Sequence, residues 1–234
     1  MITYAAPVAR HRRPRAAHPH PYGRPKARAR IRTVAEGRDN RWPAAPRGRH
    51  TEPVPQLIAP DVRIHVSFLA AMAEFGAEGR GSLADSSMVG RDLRTWSASW
   101  HDPERFAAYV AAERAAGREE TPRPEGFVPC TTLWWTEGDE YLGRISVRHR
   151  LTEFLRDYGG HIGYDVRPSA RRRGHATAML RAALPRVAAL GVDPALITCD
   201  TTNTASRKVI EACGGRFEDE RGGKLRYWVP TLLR

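Results

Sequence analysis

The sequence of 234 residues lacks an apolar run of about eighteen residues, the length that a membrane-spanning helix needs. Its first residues also lack the compact apolar stretch of a secretion signal. Cysteine is scarce, and Cys130, Cys199 and Cys213 are spaced too widely for a disulfide framework or a CxxC metal site. These absences favour a cytoplasmic protein in a reducing compartment, with no membrane partner and no bound metal.

The positive charge is concentrated at one end of the chain. The formal net charge is +12, and residues 1–50 hold 13 Lys and Arg against 2 Asp and Glu. The rest of the chain holds 25 against 24, which is close to neutral. A strongly basic chain suggests a nucleic-acid partner. Here the basicity belongs to a tail and says little about the remainder.

Residues 1–56 are predicted to form a disordered tail rich in Arg and Pro, followed by one domain at residues 57–234. The tail contains no Ser and few apolar residues on any common face, and its prolines prevent a continuous targeting helix. Four interpretations of the tail stay open. They are a solvated segment, a start assigned too far upstream, an arm that weakly binds polyanions, and metal binding by His18 and His20.

Two helices are predicted in the first part of the domain. The first carries an apolar stripe at helical spacing and ends near Gly76. The stripe consists of Val66, Leu69, Ala70, Ala73 and Phe75. The second begins with Asp102 as its N-cap and Pro103 in its first turn, and it runs to Gly117. A polar loop with two prolines then extends to Gly126.

Strands and helices alternate through the rest of the domain. Segments rich in β-branched and aromatic residues predict strands at 128–136, 141–148 and 161–166, the first two joined as an antiparallel hairpin. The remaining pattern predicts a helix at 174–190, a strand at 195–199, a helix at 204–212, and strands at 216–220 and 225–229. Pro185 is expected to bend or break the first of these helices.

A basic turn separates the third of these strands from the helix that follows it. Arg171, Arg172 and Arg173 precede Gly174, which allows a close approach of the backbone, and Ala176 keeps the first helical turn open. A helix N-terminus has backbone N–H groups without internal partners and a partial positive charge. The turn is therefore predicted to bind a phosphate group.

This turn resembles the signature of the GNAT (Gcn5-related N-acetyltransferase) superfamily, which reads Gln or Arg, two residues, Gly, one residue, then Gly or Ala. Arg171, Gly174 and Ala176 match it. The resemblance implies that backbone amides of the turn hold the pyrophosphate of coenzyme A, and that the preceding strand is splayed and pairs with pantetheine. It implies a set of cofactor-binding residues, which are Asp165, Val166, Arg171, Arg172, Arg173, Gly174, His175, Ala176, Thr177, Asn203 and Ser206.

A second segment, 198–215, looks like the strand, loop and helix that come next in the same superfamily. Asn203 can cap this helix and offer its amide to the cofactor, and Gly214 and Gly215 allow a left-handed exit. The fragments GHIGYDVRPSARRRGHAT and CDTTNTASRKVIEACGG look closest to bacterial predicted acetyltransferases. The resemblance covers about 129–229, with the earlier part of the domain included only by expected position. It implies an α/β fold of the GNAT type, with one mixed twisted sheet and helices on both faces.

The resemblance also implies a tyrosine that protonates the departing thiolate, on the helix after Asn203. The seventh residue after Asn203 is Ile210, which cannot donate a proton. Ser206 lies one helical turn from Ile210 and can reach the sulfur, although a structural hydrogen bond explains this serine as well. Solvent is the remaining proton source.

Three further residues are considered for catalysis. Asp200 ends a predicted strand, where ligand clefts form in open sheets, and it is a candidate base or a turn residue. His149 can titrate near neutrality, but Arg148 and Arg150 beside it favour its neutral form, and a surface histidine is the ordinary alternative. Cys199 suggests an acyl-enzyme or, more simply, a small buried side chain.

The sequence therefore predicts an N-acetyltransferase that moves the acetyl group of acetyl-coenzyme A to a primary amine on a small molecule or a protein. Trp134 and Trp135 either border the acceptor site or alternate between burial and exposure. The missing tyrosine suggests an alternative, a non-catalytic regulatory module that binds acyl-coenzyme A. A nucleic-acid binder acting through the tail is a third interpretation, and a homodimer stays open.

Overall fold

The computed structural model describes residues 54–232. Almost the whole of the predicted tail, including His18 and His20, lies outside these residues. The predictions of disorder, polyanion contact and metal binding therefore concern residues that the structure does not describe. No helix among the described residues is long and apolar enough to cross a membrane. Within the same residues, no group of three or more His, Cys, Asp or Glu side chains is placed to hold a metal ion.

The described residues form seven strands and five α-helices. The strands are β1 (Gln56–Ile58), β2 (Cys130–Glu137), β3 (Glu140–Arg148), β4 (Ile162–Val166), β5 (Ala195–Asp200), β6 (Arg216–Arg221) and β7 (Lys224–Val229). The helices are α1 (His65–Ala77), α2 (Met88–Trp96), α3 (Pro103–Ala115), α4 (His175–Ala189) and α5 (Thr204–Ala212). Short turns of 3-10 helix lie at Val62–Ile64 and Pro168–Ala170, and one of π-helix lies at Leu155–Gly159.

The seven strands form one sheet in the order β1-β2-β3-β4-β5-β7-β6. Neighbouring strands are antiparallel except β4 and β5, which are parallel. One hydrophobic cluster covers the face that packs against α4 and α5, and a second lies between the other face and the helices α1 to α3. The predicted α/β fold, with a mixed sheet and helices on both faces, is confirmed.

The β2–β3 hairpin places its two tryptophans on opposite faces of the sheet, as neighbouring residues of a strand must lie. Trp134 is 0% exposed in the cluster beneath α1 to α3, and Trp135 is 5% exposed in the cluster beneath α4. Both faces are covered by helices, so both rings belong to the core. The expectation that these residues border an acceptor site, or alternate between burial and exposure, is wrong.

Two elements were not predicted, and one expected interruption is absent. Helix α2 is short, and its buried side chains include Asp92, which pairs with Arg144 at 2.6 Å. Strand β1 has only three residues, too few for a periodic signal. Helix α4 continues through Pro185 without a break. Pro185 lies on the exposed side of the helix, where water can bond the carbonyl group that loses its partner.

Strands β4 and β5 start together and then separate. At the closed end, the His161 N–H donates to the Leu196 carbonyl at 2.7 Å, and the Leu196 N–H donates to His161 Nδ1 at 2.9 Å. The only registered pair between the two strands joins Ile162 and Ile197. Beyond that point β4 pairs with β3 alone, so its edge from residue 163 to residue 166 faces an opening in the sheet. This opening positions the candidate site.

Candidate active site

Two clefts meet at the opening between β4 and β5. The turn cleft, of about 530 Å³, is lined by the turn before α4 and the start of α5. The strand-end cleft, of about 510 Å³, is lined by the ends of β4 and β5, the start of α2 and the π-helical turn. The residues that line both clefts are Arg80, Tyr164, Asp165, Asn203 and Ser206. Molecules bound in the two clefts would therefore meet at these side chains.

The N-terminus of α4 opens into the turn cleft. Gly174 is the N-cap with a φ of 81°, a left-handed conformation that favours glycine. A Cβ atom at this position would meet nothing within 4 Å, so the backbone angle, and not crowding, requires glycine. The N–H groups of His175, Ala176 and Thr177 have no partner within the helix, because they belong to its first turn. These features are those of a helix N-terminus that suits an anion.

The three arginines of the turn differ in their roles. Arg171 contacts Glu78 through two bonds of 2.7 and 2.8 Å, and its Nε donates to the Val166 carbonyl at 3.1 Å. This side chain ties the turn to the end of α1. Arg172 lines the turn cleft, and its φ of 63° is unusual for a residue other than glycine. Arg173 does not line the cleft, so the structure brings together ten of the eleven predicted cofactor residues.

His175 presents a neutral ring at the first turn of α4. Its Nδ1 accepts a hydrogen bond from Trp135 Nε1 at 3.3 Å, which leaves the ring proton on Nε2. Burial lowers the pKa of His175, and the charge of Arg173 lowers it further. The Nε2 atom is buried and has no protein partner within residues 54–232. The ring is therefore neutral, and it carries a buried N–H group at Nε2.

Asn203 begins α5 as predicted. Its Oδ1 accepts a hydrogen bond from the Ser206 N–H at 3.0 Å, which caps the helix. Its amide nitrogen remains available at the junction of the two clefts.

Tyr164 supplies a proton donor that the sequence did not reveal. Its hydroxyl lies 2.7 Å from the Ser206 hydroxyl, at the junction of the clefts. Burial raises the pKa of Tyr164, so its hydroxyl stays protonated at neutral pH. Ile210 is 0% exposed in the core and lines neither cleft. The only sequence signal for Tyr164 is an aromatic residue within the strand that leads to the turn.

Arg80 joins two carboxylates at the same junction. Its Nη2 contacts Asp165 at 2.9 Å, and its Nε contacts Asp85 at 3.0 Å. Burial alone would raise the pKa of Asp85, but hydrogen bonds from Ser87, from the Gly81 N–H and from Arg80 hold it well below its usual value. Asp85 is therefore ionised and fixes Arg80 beside Asp165. Sequence reasoning missed Arg80 because it lies in a loop far along the chain from Asp165.

The predicted catalytic residues do not all meet at the clefts. Asp200 lines the strand-end cleft and contacts Lys224 on the neighbouring strand β7. His149 lines neither cleft, and its Nε2 lies 2.8 Å from Thr131 Oγ1 on β2. Cys199 lines the strand-end cleft, but burial raises the pKa of its thiol. A protonated thiol is a poor nucleophile, which argues against an acyl-enzyme.

Comparisons with known proteins agree with this geometry. A family model described as an acetyltransferase (GNAT) domain matches residues 83–216. The RimJ structure of Mycobacterium smegmatis, in complex with CoA-disulfide, has a TM-score of 0.53 and 18% identity, covering 76% of this chain and 82% of its own. The microcin C7 self-immunity acetyltransferase MccE, in complex with acetyl-CoA and AMP, has a TM-score of 0.50 and 14% identity, covering 77% and 93%.

At these identities the solved structures establish the fold and leave the substrate undefined. A search of curated proteins found no match. The family model covers more than half of the chain, and its matched residues include the splayed strand, the anion-binding turn and the cap of α5. The chain therefore belongs to the GNAT acetyltransferase family and is an acyltransferase.

Proposed function

We propose that this protein transfers the acetyl group of acetyl-coenzyme A to a primary amine. The observation that carries the proposal is the pair of clefts on the two sides of the splayed strand β4, which meet at Tyr164, Asp165 and Ser206. One cleft ends in a free helix N-terminus that suits a diphosphate, and the other is open to a second molecule. The two similar solved structures are both complexes with coenzyme A or a derivative, which supports the same cofactor here.

The cofactor would occupy the turn cleft. Its pyrophosphate would bind the N–H groups of residues 174–177. Its pantetheine arm would add to the unpaired edge of β4 at Val166, as a peptide strand would. Asn203 and Ser206 would flank the other side of the arm.

The acceptor would enter through the strand-end cleft. Asp165 and Asp200 both reach this cleft, and each already contacts a cation, so they orient the ammonium group more readily than they take a proton directly. The proton would leave through water to Asp200, the more exposed carboxylate, with 59% of its side chain accessible against 17% for Asp165. The freed amine would attack the thioester carbonyl, the nitrogen of the tetrahedral intermediate would lose its second proton to water, and the C–S bond would break. Tyr164 would protonate the thiolate and regain its proton through Ser206 and solvent.

Replacing Gly174 by Glu tests the cofactor site. The new carboxylate would repel the pyrophosphate, and coenzyme A affinity measured by calorimetry should fall about tenfold or more. Gly191, which has a φ of 78° and open space around it, provides the matched control. Gly191→Glu imposes the same backbone strain away from the cleft and should leave the affinity unchanged. Equal coenzyme A affinities in the two variants would contradict the proposed cofactor site.

A coenzyme A release assay over a panel of amines separates catalysis from binding alone. Turnover with at least one amine is expected, because Tyr164 replaces the proton donor that is missing at residue 210. Tight coenzyme A binding with no turnover on any amine would favour the regulatory module instead.

A further inference from the structure

The strand-end cleft continues into a groove lined by guanidinium groups. This arginine groove, of about 400 Å³, is lined by four arginines and two phenylalanines together with smaller residues. The six are Arg91, Arg94, Arg123, Arg148, Phe127 and Phe154. No Asp or Glu is among its lining residues. The groove shares Met88, Arg148 and Phe154 with the strand-end cleft, so the two form one continuous surface.

Arg148 stands at the junction of the cleft and the groove without an acidic partner. Its Nη1 donates to the carbonyls of Gly159 and Gly160 at 3.0 and 3.2 Å, and it makes no ion pair within residues 54–232. Arg144 and Arg226, which are also largely buried, each contact two carboxylates. Burial lowers the pKa of Arg148. A partly buried charge without a counter-charge is unfavourable, so an arriving anion would be stabilised there.

Arg148 also lies close to the proposed point of reaction. Its Nη1 is 3.9 Å from the position that a Cβ atom would take on Gly163, the residue before Tyr164 on β4. Strand residues are spaced by about 3.3 Å, so Asp165 follows about 7 Å farther along the strand. The strand-end cleft thus has, at one end, a positive group that forms no ion pair among the described residues. Towards the other end lie Asp165 and Asp200, which contact Arg80 and Lys224 and still have oxygen atoms that can accept from an ammonium group.

The rim of the cleft adds an apolar surface. Tyr158 lies in the π-helical turn and Phe154 directly precedes it, with their ring centroids 5.4 Å apart. Their exposed fractions are 67% and 43%, which are high values for aromatic side chains. The cleft therefore combines an end suited to an ammonium group, an apolar edge and an end suited to an anion.

We propose that the acceptor is an amine that also carries an anionic group, a carboxylate or a phosphate, and that Arg148 binds this group. Arg94, whose Nη1 donates to the carbonyls of Ser82 and Asp85, adds positive potential at the groove. Arg91 lies 3.6 Å from Asp92 and Arg123 lies 4.0 Å from Glu119, so their charges are partly offset. The inference rests on the proposed function, because it requires the strand-end cleft to receive the acceptor. It narrows the substrate class from amines in general to amines that are also acids.

Matched pairs of amines test this inference on the full chain saturated with coenzyme A. The pairs are phenylalanine with phenylalaninamide, and 2-aminoethyl phosphate with 2-aminoethanol. Calorimetry should give an affinity about tenfold or more higher for the acidic member of at least one pair, the gain expected from a charge-assisted hydrogen bond. The pair that shows the difference distinguishes a carboxylate from a phosphate.

Three variants test whether Arg148 causes the preference for acidic amines. Arg148→Met should abolish it, and Arg148→Lys should retain part of it because the charge remains. Arg150→Met is the control, since Arg150 pairs with Glu119 and lines neither the cleft nor the groove. Circular dichroism and unchanged coenzyme A affinity establish that each variant is folded.

The inference is overturned if the wild type binds both members of each pair equally, if it binds no acidic member, or if the preference survives Arg148→Met. A protein that acetylates neutral amines as fast as acidic ones would refute the anion site and leave the acetyltransferase function intact. Failure of the proposed function gives a different result, with no turnover of any amine, and the binding measurements still report on Arg148.

Discussion

At the scale of single residues, Tyr164 carries the proposed proton transfer. Tyr164→Phe removes the hydroxyl and keeps the ring that packs against α5. If this hydroxyl protonates the thiolate, kcat should fall about 100-fold, the range of general acid catalysis, and the affinity for coenzyme A should change little. Steady-state kinetics of coenzyme A release measures the first effect, and calorimetry measures the second.

Tyr158 provides the matched control for that experiment. It is 43% exposed on the rim of the strand-end cleft, and its ring lies against Phe154. Tyr158→Phe should leave kcat within about a factor of two, since no proton transfer is assigned to its hydroxyl. If Tyr164→Phe keeps the wild-type kcat, Tyr164 is not the general acid, and Ser206 or solvent protonates the thiolate instead.

His161 makes stability depend on pH at the closed end of the splayed strands. Burial, together with the positive charges of Arg156 and Arg148, lowers the pKa of His161 to about 4. The unfolded chain takes up this proton near pH 6.5, whereas the folded chain resists it. The contribution of the neutral ring to stability is therefore fully present above about pH 6.5 and is lost as the pH falls towards 4.

The variant His161→Asn tests this linkage. An Asn side chain can present an oxygen to the Leu196 N–H, the bond that His161 Nδ1 accepts at 2.9 Å, and it has no titrating group. Urea unfolding at about pH 7 and at about pH 5 measures stability on the two sides of the free His pKa. The free energy of unfolding should fall less between these two pH values in the variant than in the wild type. An equal loss in both proteins would assign the pH dependence to other groups.

At the scale of elements, α2 is held by a buried ionic network. Asp92 is 3% exposed, contacts Arg144 at 2.6 Å and accepts a hydrogen bond from the Tyr109 hydroxyl at 3.2 Å. Asp92→Ala leaves Arg144 with Glu113 alone at 3.6 Å. The free energy of unfolding should fall by about 3 kcal/mol, as expected when one partner of a buried pair is removed.

An exposed pair gives the comparison for this prediction. Asp139 contacts Arg63 at the β2–β3 turn, and 76% of its side chain is exposed. Asp139→Ala should change the free energy of unfolding by less than about 1 kcal/mol, because water screens the pair. Urea unfolding of both variants measures the difference, and equal losses would contradict the role given to the network beneath α2.

At the scale of the whole molecule, the basic tail and the acetyltransferase domain are expected to act separately. Residues 1–50 hold nearly all of the net charge, and every described helix and strand begins after them. Deleting these residues should leave coenzyme A release and thermal unfolding unchanged. Weak binding to a DNA oligonucleotide should be lost, and in the full chain it should weaken between about 50 mM and about 200 mM salt. Loss of enzyme activity on deletion would contradict this separation.

Local interactions made most of the elements predictable from the sequence. Asp102 and Asn203 begin their helices as expected, because an N-cap side chain bonds to backbone groups two or three residues away. The turn at Gly174 was predictable for the same reason, because a left-handed backbone conformation favours glycine. Helix α2 also begins at a local cap, since Ser87 accepts a hydrogen bond from the Gly90 N–H, and this signal was missed. Its buried contact between Asp92 and Arg144 joins residues 52 apart in the sequence and could not be predicted.

The sequence by itself determined the family, the position of the glycine turn before α4 and the absence of a donor at Ile210, since these depend on residue types at short spacings. Only the tertiary structure decided which side chains meet in the opening of the sheet. Arg80 reaches Asp165 across 85 residues, and Tyr164 reaches Ser206 across 42. Such contacts depend on strand pairing and helix packing, and the divergence of β4 from β5 created the space in which they meet.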